Sequence, residues 1–395
     1  MTYPDIRSKS GKTPFPIGLI GRKINVEMKL LNPVSRCLLF FILLGWPGSI
    51  AASRAAEARL EPVFQDGLSQ FTGVAVSKTG RMFINYPRWQ GPHEFDVVEV
   101  HSNGIAQPFP DKDWNTWQKN ESGSNKWVCV QAVYVDDQDN LWVVDPAAPE
   151  MESVQGNGSK LVKIDLKKNL VSRIYNFSEL AGKNSYINDV RVDTVSNIAY
   201  LTESKEGGIV VLDTESGNAR MVLRKAPSVQ SDPNHQFMVG GAELQRNGKP
   251  MKVNSDGIAL SPDRQWLCFK PLSDLKLYRI RTAELRNALA TGADVTDKVQ
   301  DLGANFTTSD GMIFDPKGNL YLSDMEHDAI VQVTPALKLQ VIAHDPKRLL
   351  WPDTFAWSPD GWLYVTCSQI QNMPWSHNGR STRNAPYQIF KLKVE

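Results

Sequence analysis

Six positions spread through the chain carry oxygen-bearing side chains suited to holding a cation: Thr72, Gln131, Asn188, Asp256, Asp310 and Asp353. Each stands four residues before an apolar anchor, in turn Val76, Val135, Val192, Leu260, Phe314 and Trp357, and each anchor closes a β-run just before a polar turn. An even offset along a strand puts all six on a common side. Three carboxylates and three neutral groups brought to one place repel one another unless water or a cation intervenes. Two readings follow. One is a hydrated polar channel. The other is a divalent cation such as Ca²⁺, which takes oxygen ligands of this kind. A purely local origin is also open for the Asp of "SDG", "SDG" and "PDT", because Asp often caps a turn through neighbouring backbone.

Trp351 and Pro352 precede Asp353 and supply either an apolar wall at the same mouth or ordinary core packing. His327 lies in "SDMEHDAI" with Asp324 and Glu326. Without a second His at ligand spacing, that cluster reads as a solvated turn. No GxSxG elbow, phosphate-binding loop or dinucleotide fingerprint occurs in a strand-turn-helix context, so no catalytic residue is assigned.

The elements that position these residues are written as repeats: "GVAVSKTGRMFIN", "AVYVDDQDNLWVVD", "DVRVDTVSNIAYLT", "GIALSPDRQWLCFK", "MIFDPKGNLYLSD" and "FAWSPDGWLYVTC". Each is a β-run, a polar turn and a second β-run, and further strand-like segments follow in most copies. Four antiparallel strands per unit is the make-up of a propeller blade. The spacing predicts an all-β, six-bladed β-propeller over 60–395, with the six polar positions ringing one mouth of its channel. "TAELRNALATG" has helical spacing and a Gly just past its end, which predicts one short helix. The segments 104–126 and 224–254 read as long irregular connections on a rim, where recognition is often found.

With 44 Lys plus Arg against 43 Asp plus Glu and no long basic run, nothing favours nucleic acid as a partner. From Met28 the chain reads as basic residues, an apolar stretch from Cys37 to Trp46, and small residues near 49–52. That is the pattern of a secretory signal peptide over 28–52, with an uncleaved anchor as the alternative. Residues 1–27 then read as an over-extended start. The expected compartment is secreted or periplasmic, with no stable membrane association after cleavage and a monomeric state. Cys129, Cys268 and Cys367 fall in β-runs of different blades and read as small buried apolar residues.

The wording of the repeats, in "FINYPRWQGP", "NLWVVDPAAP", "AYLTESKEGGIVVLD", "GIALSPDRQWLCFKPLSDLKLYRI" and "LLWPDTFAWSPDGWLYVTCSQI", resembles the Yellow and major royal jelly protein family from about Phe71 onward. The resemblance implies secretion, a six-bladed propeller and, in some members, small aromatic amines bound in the channel or dopachrome conversion. "YINDVRVD" and "SDGMIFDPKGNLYLSD" are more distantly similar to gluconolactonase and regucalcin-like propellers. That likeness implies a metal at Asn188, Asp256 and Asp310 polarising a lactone, with Asp310 acting on water. Thr72 stands where those enzymes carry Glu, and Tyr186 where they carry Arg, which removes one anionic ligand. The reading is therefore a small-molecule-binding propeller, with Asp256, Asp310 and Asp353 facing a cationic group and Trp351 as a stacking wall. A lactone hydrolase, a dopachrome-type isomerase and a protein-interaction propeller are the alternatives.

Overall fold

The computed structural model describes residues 58–91 and 93–394. The signal-peptide and over-extended-start readings therefore lie outside the described residues. The repeats fold as six four-stranded antiparallel sheets in chain order around a common axis. Blade one holds Gly73–Val76, Met82–Asn85, Val97–Val100 and Ala106–Pro108. Its fourth strand occupies part of the segment read from sequence as the start of a loop. The inner strands of the other blades are Ala132–Val135, Ile187–Asp193, Ser255–Leu260, Met312–Phe314 and Pro352–Trp357.

Blade six borrows its outermost strand from the start of the described chain. Glu61–Asp66 pairs antiparallel with Tyr387–Lys393, Asp66 opposite Tyr387. One sheet thus holds strands from both ends of the described chain and closes the ring. The sequence alone left this strand unassigned.

The hairpin turn of every repeat is held by one residue just after the anchor. Ser77, Ser261 and Ser358 accept backbone N–H bonds at Oγ, and Asp136, Asp193 and Asp315 do so at Oδ1. A short polar side chain in that place satisfies donors that the turn would otherwise leave unmet. Between blades the apolar faces stack. Trp142, Leu161, Tyr175, Val190 and Leu201 fill the space between blades two and three, and equivalent layers recur around the ring. Cys129, Cys268 and Cys367 are all buried and unpaired; Cys268 and Cys367 lie in strands as expected, whereas Cys129 lies in the connection just before Ala132–Val135.

Thr282–Thr291 is the one α-helix among the described residues, closed by Gly292 at φ 78°. The segment 224–254 folds into two small hairpins, Met238–Val239 with Ala242–Glu243 and Gln245–Arg246 with Lys249–Pro250. It lays Phe237, Val239, Leu244 and Met251 against Trp89, Trp351 and Trp375. This insertion caps one face of the propeller. The segment 104–126 instead packs along the side, where Asn115 Oδ1 takes the backbone N–H groups of Asp96 and Val97.

Candidate functional site

Near the axis the inner strands crowd, and the residue after three of the ring positions is Gly. A side chain at Gly311 would lie 1.8 Å from the Asp353 carbonyl oxygen, and one at Gly257 would lie 2.8 Å from that of Asp310. The Gly of the two "SDG" sequences is therefore set by the approach of the neighbouring blade, and neither Asp serves as a turn cap. Three inner strands also carry a register shift at their site residue. These fall between Ile187 and Val190, between Ser255 and Ile258, and between Pro352 and Phe355. A bulge re-aims a side chain that strict alternation would send elsewhere. It does so for Asn188, Asp256 and Asp353.

Second-strand polar groups lock this arrangement across blades. The Thr202 hydroxyl donates to the Asp256 carbonyl at 2.8 Å, and the Thr366 hydroxyl to that of Thr72 at 2.5 Å. Asn85 Nδ2 reaches the Gln131 carbonyl at 3.0 Å. Each of these contacts joins a blade to the next one in the ring. Lys270 holds the equivalent place in blade four. Fully buried, it donates to the carbonyls of Pro271 and Asp274, and burial pushes its pKa down to about 7.

Five of the seven expected site residues line one cavity of about 160 Å³: Gln131, Asn188, Asp256, Asp310 and Trp351. Asn188 Nδ2 donates to Asp256 Oδ2 at 2.6 Å, and Trp351 Nε1 donates to Asp310 Oδ2 at 2.7 Å. Burial raises both carboxyls, Asp256 well above the ordinary range and Asp310 to about 6. For Asp256 the charges of Asp310 and Asp353 add to burial in disfavouring the anion. Two buried carboxyls so placed favour holding one proton between them over both being ionised.

The remaining two do not line that cavity. The Thr72 hydroxyl is spent on the Gln131 carbonyl at 3.0 Å and on Asn85 Nδ2 at 2.9 Å. Asp353 lies behind Asp310; its Oδ1 accepts from the Thr354 hydroxyl, and its buried Oδ2 has no protein partner. His327 is an exposed turn residue against Asp324 at 2.9 Å, as its sequence context suggests. Glu326 points the other way and holds the insertion, accepting the Met238 N–H at 2.7 Å with His235 Nε2 3.4 Å away.

The sequence reading missed the rest of the lining: Trp89, Tyr186, Met151, Lys205, Arg246, Met251 and Leu272 among them. Trp89 Nε1 donates to the Tyr186 hydroxyl at 3.2 Å, which donates to Gln131 Oε1 at 2.7 Å. Tyr186 was visible only as the departure two residues before Asn188. Trp89 and Arg246 lie in connections with no repeat register to place them.

As a metal site the set is poorly disposed. Asn188 turns its NH₂ toward Asp256, burial disfavours the Asp256 anion, and the Trp351 N–H covers one Asp310 oxygen. Among the described residues no three His, Cys, Asp or Glu side chains gather as a metal cage would need.

The fold is similar to that of a gluconolactonase from Xanthomonas campestris, with a TM-score of 0.51, 13% identity, and coverage of 87% of this chain and 93% of that one. Major royal jelly protein 5 of Apis mellifera is 24% identical over 64% of this chain and 42% of its own length. Major royal jelly protein 7 of the same bee is 23% identical over 51% of this chain and 46% of its own. The chain thus spans less than half the length of these two relatives. The sequence pattern of the major royal jelly proteins matches residues 128–394, most of the propeller, and the chain belongs to the major royal jelly protein family.

Proposed function

We propose that this protein is a secreted or periplasmic small-molecule-binding propeller that holds a single-ring aromatic amine at the capped mouth of its channel. The carrying observation is the buried Asp256 and Asp310 pair, both raised by burial, in a cavity walled by Trp89, Tyr186, Met251 and Trp351. An ammonium group replaces the shared proton with a charge that both carboxylates accept, and the aromatic faces add a cation-π contribution. Size supports one ring. A cavity of about 150 Å³ is enough for benzene, and this one is about 160 Å³. The ligand acts as a small-molecule partner to a monomer, with no nucleic acid and no stable membrane association. No divalent cation such as Ca²⁺ is part of this reading.

The test is calorimetric titration of the purified protein with tyramine or phenethylamine in buffers of different ionisation enthalpy. Binding is expected to release protons, and an Asp256→Asn, Asp310→Asn double variant is expected to lose it. Equal binding by the double variant would remove the site.

A second reading is supported by the same pair. Two adjacent carboxyls, one protonated and one ionised near neutral pH, are the acid and base that a proton-relocating isomerase requires. Turnover of a dopachrome-like compound that disappears in the single Asp310→Asn variant would favour it over simple binding. The metal-dependent lactone hydrolase has less support, because the Thr72 hydroxyl is committed to structure.

A further inference from the structure

Besides the acidic pair, the same cavity is lined by two cations, Lys205 and Arg246. Neither forms an ion pair among the described residues. Arg246 lies with its guanidinium carbon 4.6 Å from the Trp375 ring centroid, and its nitrogens rest against Met151 Sδ and the Glu150 carbonyl. The Lys205 ammonium donates to the Glu152 carbonyl. The exposed Glu152 carboxylate acts on both cations through its charge without reaching ion-pair distance, and the buried Glu203 that acts on Lys205 is used up locally. It accepts the backbone N–H groups of Tyr186, Glu206 and Gly207 and the Ser185 hydroxyl.

Two partly buried cations held side by side destabilise one another, and burial depresses the pKa of both. Such a pair is retained at small cost only where an anion comes to meet it. The Tyr186 hydroxyl lies between the two ends of the cavity and feels both the charge of Arg246 and that of Asp256. The cavity is therefore polarised, acidic at the channel floor and basic beneath the insertion, with an aromatic and aliphatic wall joining the ends.

From this polarity we infer that the ligand is a zwitterion: an aromatic α-amino acid of one ring, its ammonium on Asp256 and Asp310 and its carboxylate on Lys205 and Arg246. The inference rests on the amine reading above and adds the second charge. A simple amine leaves the basic end unmet. A simple carboxylate leaves the acidic pair without its cation.

Three probes that differ by one group at a time separate these cases: L-phenylalanine, phenethylamine and 3-phenylpropionate, each titrated into the purified protein. One charge-assisted hydrogen bond is worth about tenfold or more in affinity. Phenylalanine is expected to bind about tenfold or more tighter than phenethylamine. Lys205→Gln and Arg246→Gln are each expected to remove about that factor for phenylalanine while leaving phenethylamine binding unchanged, which also reports that the variants are folded. Phenethylamine binding as tightly as phenylalanine, or variants that weaken both ligands equally, would overturn the zwitterion and leave the amine reading standing. Binding of 3-phenylpropionate alone, or of none of the three, would overturn both.

Discussion

Trp351 donates its indole N–H to Asp310 Oδ2 at 2.7 Å while its own backbone is held at φ 58°. A bulky residue in the left-handed region is strained, and such strain persists where the surroundings over-determine it. Here the Trp351 carbonyl is fixed by the Ser368 N–H at 3.1 Å, and the ring is packed edge-on against Phe237 of the insertion, with centroids 5.8 Å apart. One side chain thus joins the acidic pair to the cap above it.

Trp351→Phe keeps most of the ring but removes the donor. A hydrogen bond to a charged group contributes about 1.5–3 kcal/mol, so a loss of stability in that range is expected from denaturant unfolding. The Asp310 carboxyl should titrate higher in the variant, because the lost bond favours its ionised form. A titration of Asp310 unchanged from the parent would show that the bond does not tune it.

The Asp256–Asp310 pair fixes a pH dependence with a definite sign. Burial lifts Asp310 from the ordinary 3.8 to about 6, and Asp256 is raised further. An acid whose pKa is raised on folding stabilises the fold below its unfolded pKa and loses that contribution as pH rises through the folded value. Thermal stability without ligand is expected to fall from about pH 4 through pH 6 and beyond. Amine affinity should rise over the same interval as the pair ionises. In Asp310→Asn both slopes should flatten; a parallel fall in the variant would place the effect elsewhere.

Gly311→Ala drives a methyl group into the Asp353 carbonyl, which lies 1.8 Å from its required position. Displacing backbone at the axis is expected to cost about 3 kcal/mol or more. A methyl at Gly67 would meet no atom within 4 Å, so Gly67→Ala is the control, expected within about 0.5 kcal/mol of the parent. Comparable midpoints for the two variants in thermal unfolding would refute the crowding at the axis.

Asp353 separates ring position from ligand contact. It shares its place in the repeat with Asp256 and Asp310 but does not line the cavity. Asp353→Asn is expected to change amine affinity by less than about twofold, whereas Asp256→Asn loses about tenfold or more. Equal losses would mean that the ligand reaches deeper into the channel.

Chelation tests the donor chemistry. Because the groups of Asn188, Asp256 and Asp310 are committed to one another and to Trp351, amine binding is expected to be the same before and after treatment with EDTA. Stoichiometric calcium in elemental analysis, with binding lost on its removal, would restore the metal reading.

The six repeats with their polar turns, the short helix and three of the acids at the channel were all legible without coordinates. They are local patterns, repeated in register, and strand alternation turns register into direction. Thr72 shows where that logic ends, since it has the right register and yet its hydroxyl is consumed by Gln131 and Asn85. Asn188, Asp256 and Asp353 sit in bulges, so alternation alone does not fix where they point.

By itself, then, the sequence determined the ring of blades and the acidic character of one mouth, because both are written once per repeat. Only the tertiary structure decided what faces those acids. Lys205, Arg246, Trp89 and Met251 come from blade edges and connections outside the shared register, and they reach the cavity because the insertion folds back over the channel. Non-repeating segments reveal their direction only through the packing of Phe237, Val239 and Leu244 against Trp351 and Trp375, contacts that no periodicity encodes.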